Sequence, residues 1–340
     1  MLQRASFMAA TLVQRLESRV RALRRHRCRS TGWREHFAAC DALLGVVRRP
    51  LPSALPDAGL TVVLPHYARL HNAELAAYLA LASSRVKRVV IVNDNPAVRL
   101  REHVHIDDPR LVLIDREQCI GPVGRYLTAR DFDSERCVSL DDDLFLSPVQ
   151  LERLDAAQAA DPSRPHGLFG QLWNGEGHGF RNDIVRADGE VDLLNRGYAF
   201  TRAQLHSFLA LLNELGVSGD AAHIAVEDDV VLSFTGAARP RSLNLGAFGD
   251  CPSERSSPFA RSRRPEAGLV RRRQFERLRA LRPLQSDLSI AIPKPPVWPR
   301  TFGMALAVAP TGLQFVLPHL LPPLFAWLER RAMAREAGHP

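Results

Sequence analysis

"RCVSLDDDLFLSP" (residues 136–148) ends a strand-like apolar run in three consecutive carboxylates, Asp141, Asp142 and Asp143. Like charges side by side repel, and the cost grows where water is thin. Two readings account for the triplet. Either the strand simply ends and the acids cap the loop and the next helix, or a divalent cation draws the carboxylates together. The choice turns on where this run lies in the fold.

Strand-like runs precede it at "LTVVLPHY" (60–67), "RVVIVND" (88–94) and "RLVLID" (110–115), and "HGLFGQLW" (166–173) follows. Helix-like stretches fall between them near 70–83, 97–104, 122–130 and 148–159. This alternation predicts βαβ units and an α/β fold, with a mostly parallel sheet flanked by helices. Ligands of such sheets bind beyond the carboxyl ends of the strands, which is where the triplet falls. A second cluster, "AVEDDVVLSF" (225–234), sets Glu227, Asp228 and Asp229 ahead of another apolar run. It fits helix-start charges that complement the macrodipole, or a reacting carboxylate separate from a metal site.

The flanks differ from this body. Residues 1–50 carry 11 Arg against 3 acids, residues 254–282 carry 10 Arg against 3, and residues 51–253 hold 19 basic and 28 acidic groups. A nucleic-acid-binding domain would show its basic stripe on the folded body, so nucleic acid is not an expected partner. Basic ends around an acidic body fit contact with phosphate or an anionic membrane surface. Residues 5–27 carry an apolar stripe (Met8, Leu12, Leu16, Val20, Leu23) at helical spacing, read as a helix packed on the body or lying on a membrane. "PLPSALPDA" (50–58) reads as a linker. Five cysteines without a Cys-x-x-Cys point to free thiols in a reducing compartment, the cytoplasm. The Arg-rich, acid-poor start is also of the composition seen in organelle-targeting segments. Residues 303–328 hold no charge over 26 positions, but Pro310, Pro318, Pro322 and Pro323 argue against a regular membrane-spanning helix. The expected organisation is a basic helical N-terminal extension and linker (1–58), a catalytic domain (59–282) and a Pro-rich apolar extension (283–340).

A metal held by one or two carboxylates keeps positions open for phosphate oxygens, so Mn²⁺ or Mg²⁺ at Asp141 and Asp143 implies a phosphate-bearing substrate. Asp-x-Asp at a strand end is familiar in sugar transfer from nucleotide sugars. A dehalogenase-type phosphatase would carry its Asp-x-Asp on the first strand, not the fourth. A prenyl-transfer motif would need an all-helical chain.

Residues 60–234 resemble the exostosin-type glycosyltransferase domain. "PHYARL" is similar to that family's Thr-Tyr-Asn-Arg, matching at Tyr67 and Arg69, and "VVIVNDNP" to its Val-Val-Val-Trp-Asn-Asn-Pro. "VSLDDDLFL" resembles its Ser-Leu-Asp-Asp-Asp. "LNRGYAFTR" resembles its Leu-Thr-Gly-Ala-Ala-Phe, keeping Gly197, Ala199 and Phe200, and "VEDDVVLSF" resembles its Cys-Glu-Asp-Ile-Ala-Met-Asn-Phe, keeping Glu227, Asp228 and Phe234. Two departures bear on the nucleotide: the family's base-contacting Asn is Asp94 here, and the Asn of its Asn-Arg-Phe is Gly124, with Arg125 kept. The resemblance implies a GT-A type Rossmann-like fold and a metal-dependent transferase that uses a UDP-sugar and retains anomeric configuration. It implies that Tyr67, Arg69, Asp94, Arg125, Asp141 and Asp142 hold the nucleotide-sugar and that Asp143, with Asp141, holds the metal. Asp228 would be the catalytic carboxylate beside the anomeric carbon. Arginines of 255–273, with Arg261, Arg263 and Arg264 as candidates, would contact phosphate. The acceptor (a glycan, or a lipid- or protein-linked group) is not carried over. An inverting transferase, a nucleotidyltransferase or an inactive membrane-peripheral scaffold would keep the same acidic clusters.

Overall fold

The computed structural model describes residues 2–24, 33–53, 56, 59–173, 180, 184–185, 187–219, 223–251 and 267–283. Two compact units divide the chain, residues 1–291 and 292–340. The second unit, with the apolar stretch 303–328, lies outside the described residues, as do Arg261, Arg263 and Arg264.

Strands β1 (Leu60–His66), β2 (Val86–Asn93), β3 (Leu111–Asp115) and β4 (Arg136–Leu140) run parallel in the order β3-β2-β1-β4. Their near-continuous apolar sequences follow from burial on both faces, as covering helices require. Beyond β4 the sheet changes direction: β9 (Leu193–Thr201) pairs antiparallel with β4 and with β6 (His166–Gln171). Short strands β7 (Ile184–Val185), β8 (Gly189–Glu190) and β10 (Arg241–Ser242) complete a nine-stranded sheet. A separate pair joins β5 (Leu144–Phe145) to β11 (Gly249–Asp250) directly after the acidic triplet. The expected α/β architecture, a mostly parallel sheet flanked by helices, is the one observed.

Helices α3 (Ala73–Leu81), α4 (Gly124–Arg130), α5 (Pro148–Ala160) and α6 (Arg202–Glu214) cover the sheet. Helix α5 starts with a capping box between Ser147 and Gln150 and a proline in its first turn, and α6 with one between Thr201 and Gln204. The helix expected near 97–104 is instead a loop with one short 3₁₀ turn, Leu100–Glu102. Its backbone is satisfied from the side: the Asn93 amide donates to the Asn95 and Val98 carbonyls, and the Leu100 N–H donates to Asp115. Pro96 further disfavours a helical start at Asn95.

Helices α1 (Leu2–Arg24) and α2 (Trp33–Val47) are packed into this body rather than extending from it. Leu16, Val20 and Leu23 of α1 are at most 1% exposed and join Cys40, Leu43 and Val47 of α2 in the main core. Four arginines of α1 turn toward partners within the fold. Arg15 pairs with Glu74, Arg21 with Glu17, Arg24 with Asp41, and Arg19 donates to Asn72. No described helix is long and apolar enough to cross a membrane. Helices α7 (Asp228–Ser233) and α8 (Ala267–Leu281) close the described fold.

Candidate functional site

The carboxyl ends of β1, β2 and β4 open onto a cavity of about 330 Å³, lined by His66 at the end of β1 and Tyr67 after it, Asp94 after β2, Arg125 on α4, and Asp141 and Asp142 after β4. Parallel strands deliver these residues to one edge because successive strands end at the same side of the sheet. Arg69 and Asp228 reach the same place through contacts with Asp142 and Arg125, and Asp143 adjoins Asp142 and lies near Arg69.

The triplet is a tight turn fixed by its backbone. Asp141 N–H donates to the Arg196 carbonyl (2.9 Å), Asn72 Nδ2 donates to the Asp142 carbonyl (2.7 Å), and Cys251 N–H donates to the Asp143 carbonyl (2.9 Å). Its side chains therefore project in defined directions, each meeting an arginine. Asp142 accepts from Arg69. Asp141 accepts from Arg125 Nη1 at 2.8 Å, and Asp143 from Arg196 Nη2 at 2.8 Å, with Arg69 Nη2 3.6 Å away. Arg125 also places Nε 3.2 Å from Asp228, so this one guanidinium ties the first acidic cluster to the second. Burial would lower its pKa, but Asp228 and Asp141 hold it well above the usual value. Burial pushes the Asp142 carboxyl up to about 6 against the opposing pull of Arg69, and raises Asp141 as well.

Asp94, 9% exposed, accepts from Gly121 N–H (2.8 Å) and lies 3.1 Å from Arg116 Nε. Arg116 also donates to the Gly124 carbonyl and Thr128 Oγ1. A Cβ at position 124 would meet the Arg116 guanidinium at 3.5 Å. The two departures from the resembled family are thus coupled here: Arg116 balances the charge gained at Asp94 and lies against the bare backbone of Gly124.

Tyr67, Arg69, Asp94, Arg125, Asp141, Asp142, Asp143 and Asp228 lie at or beside this edge of the sheet, whereas Arg261, Arg263 and Arg264 lie outside the described residues. Sequence reasoning missed Arg116, Asn72, Arg196 and Asp250. Arg196 holds φ at +67°, the left-handed region that a bulky residue rarely adopts, and its guanidinium bridges Asp143 and Asp250 (2.7 Å). No local pattern announces it; only its place before Gly197 in the β9 segment could have drawn notice. Of the basic stretch 255–273, Arg271 meets the second acidic cluster. It donates to Asp229 Oδ1 (2.7 Å) and Gln171 Oε1 (2.7 Å).

Among the described residues, no group of three or more His, Cys, Asp or Glu converges as a protein-only metal shell would. An ion that bridges a nucleotide takes one or two carboxylates and completes its shell with phosphate and water. Charge fits that use. Arg69, Arg125 and Arg196 face Asp141, Asp142, Asp143, Asp228 and Asp250, five carboxylates against three guanidiniums. All the acidic donors are hard oxygens, a set whose chemistry fits Mn²⁺ or Mg²⁺.

No family model matches the sequence, and no curated protein matches it. Among solved structures, S. aureus TarS 1–349 in complex with UDP is similar at 17% identity over 67% of this chain and 67% of that chain, with a TM-score of 0.43. TarS 1–349 in another crystal structure is similar at 18% identity over 56% of this chain, with a TM-score of 0.35; the chain spans 59% of that protein's length. CMP:2-keto-3-deoxy-manno-octonic acid synthetase complexed with CTP is similar at 13% identity over 57% of this chain and 93% of its own, with a TM-score of 0.38. Likenesses this distant assign no activity.

Proposed function

We propose that this protein is a glycosyltransferase that moves a sugar from a UDP-sugar to an acceptor with retention of anomeric configuration. The observation that carries the reading is Arg125. It lies in a strand-end cavity with Tyr67, Asp94, Asp141 and Asp142, and it bridges Asp141 to Asp228. A nucleotide half and a reacting half are thereby set side by side.

In this reading Asp94 accepts the uracil N3–H through a lone pair left by Gly121, and Tyr67 lines the same subsite. Asp141 and Asp142 orient the ribose. Asp143 and Asp141 hold Mn²⁺ or Mg²⁺, which when bound supplies positive charge to the leaving diphosphate. Arg69 and Arg125 are placed to donate charge-assisted hydrogen bonds to phosphate oxygens. Asp228 stabilises the positive charge that develops on the anomeric carbon.

The test separates the two acidic clusters. Asp143→Asn removes a charge that a hard cation needs, so calorimetric titration should show Mn²⁺ affinity, and UDP affinity in Mn²⁺, falling steeply. Asp228→Asn should keep UDP binding while turnover of a UDP-sugar falls by about 100-fold or more. Parental Mn²⁺·UDP binding by Asp143→Asn would reduce the triplet to a strand-end cap.

A further inference from the structure

Asp228 opens a helix of only six residues, Asp228–Ser233, too short to orient a side chain by itself. Its neighbours are held from outside by one face of α8. Gln274 grips Glu227, the residue before Asp228, by both backbone polar groups. Its Oε1 accepts from Glu227 N–H at 3.1 Å, and its Nε2 donates to the Glu227 carbonyl at 2.7 Å. Arg271 takes the residue after Asp228: Nη1 donates to Asp229 Oδ1 at 2.7 Å, while Nε and Nη2 anchor on Gln171 Oε1 of β6 at 3.1 and 2.7 Å. Phe275, 2% exposed, packs its ring against Phe234 at the far end of α7, with centroids 5.5 Å apart. Residues 271, 274 and 275 share one helix face by their spacing.

We infer that Gln274 and Arg271 are positioning residues that act on the reaction through Asp228, an inference that rests on the catalytic reading of Asp228. A side-chain amide that bonds both the N–H and the C=O of one residue fixes that residue's backbone in two directions. The guanidinium fork on Asp229 and Gln171 fixes the other side against the sheet. Asp228 lies between these anchors and meets Arg125 at 3.2 Å. This gives the Arg-rich C-terminal helix a role other than contact with phosphate.

The experiment uses the full chain with Mn²⁺, UDP, and a panel of UDP-glucose, UDP-galactose and UDP-N-acetylglucosamine as donors. Gln274→Leu should lower kcat by about tenfold or more, since small misplacements of a reacting group cost rate steeply. UDP affinity should stay within about twofold, because Asp228, through which Gln274 acts, meets the reacting carbon and not the nucleotide in this reading. Gln274→Glu keeps an acceptor for the Glu227 N–H but loses the donor to its carbonyl, so its kcat should fall between the two. The decisive arm repeats Gln274→Leu in the Asp228→Asn background, where residual turnover should change by less than about twofold, the signature of a residue acting through another. An equal loss of kcat in both backgrounds, parental kcat in Gln274→Leu, or a loss of UDP affinity matching that of kcat would overturn the inference. A parent that neither binds UDP nor turns over a UDP-sugar refutes the functional reading and this inference with it. A parent that does both, with Gln274→Leu unaffected, refutes the inference alone.

Discussion

Removing α1 should disable the whole fold, although the sequence makes it look like a detachable basic extension. Leu16, Val20 and Leu23 are almost completely buried against α2 and α3. Burying one such aliphatic side chain contributes about 1.5–3 kcal/mol, so the three contribute about 5–9 kcal/mol. That figure is an upper one, because the unfolded chain already hides part of its apolar surface. A domain's whole stability is about 5–15 kcal/mol, so the loss takes most of it. Truncation also strips Arg19 from Asn72, a fully buried residue whose amide holds the Asp142 carbonyl at 2.7 Å. The perturbation therefore reaches the triplet as well as the core. In urea, followed by circular dichroism, a chain beginning after Arg24 should show no cooperative transition. Leu23→Ala in the full chain should lose about 2–5 kcal/mol. Arg19→Met should lose about 1–3 kcal/mol through the unsatisfied Asn72 oxygen and should weaken UDP binding in Mn²⁺. A truncated chain that unfolds cooperatively within about 1 kcal/mol of the parent, and still binds UDP, would refute the reasoning.

Arg125→Gln should cost about 3–5 kcal/mol in chemical denaturation, because it leaves Asp228 buried without its cation and takes the same cation from the half-buried Asp141, and it should abolish turnover. Asp94→Asn should bind UDP more weakly in a thermal-shift titration, since Arg116 would lose its counter-charge and the acceptor for the uracil imide would lose its own; unchanged UDP shifts would remove Asp94 from the base subsite. Burial pushes His166 down to about 4, whereas an unfolded imidazole takes up its proton near 6.5. Between these values the unfolded state binds more protons, so stability is full above pH 6.5 and falls as pH drops toward 4. His166→Gln should flatten that part of the pH profile of the urea midpoint.

The four parallel strands were legible because burial on both faces leaves runs such as "VVIV" that few other environments require. Strand β9 was not read as a strand: "LLNRGYAFT" alternates poorly, and it is held by pairing with two strands distant in sequence, a tertiary effect without local mark. The site divides in the same way. Asp141–Asp143 follow from the rule that strand ends carry ligands, whereas Tyr67 and Asp94, also at strand ends, were named only through the family resemblance. Arg116, Arg196 and Gln274 arrive through crossovers and pairings that no single segment encodes. Charge counting misled most at α1, because a sum of arginines carries no record of their partners; Glu74, Glu17, Asp41 and Asn72 engage four of them. The same partner-by-partner count answers the puzzle of the triplet. If three adjacent carboxylates only capped a strand, three arginines would suffice to neutralise them. Here Arg125 is shared with Asp228 and Arg196 with Asp250, so among these described groups five carboxylates face three guanidiniums. Burial, opposed by Arg125 and Arg69, raises the pKa of Asp141 and Asp142, so holding these carboxylates in the turn is costly. Under our proposal Asp141 and Asp143 would hold, beside the diphosphate, a divalent ion whose positive charge would offset that cost.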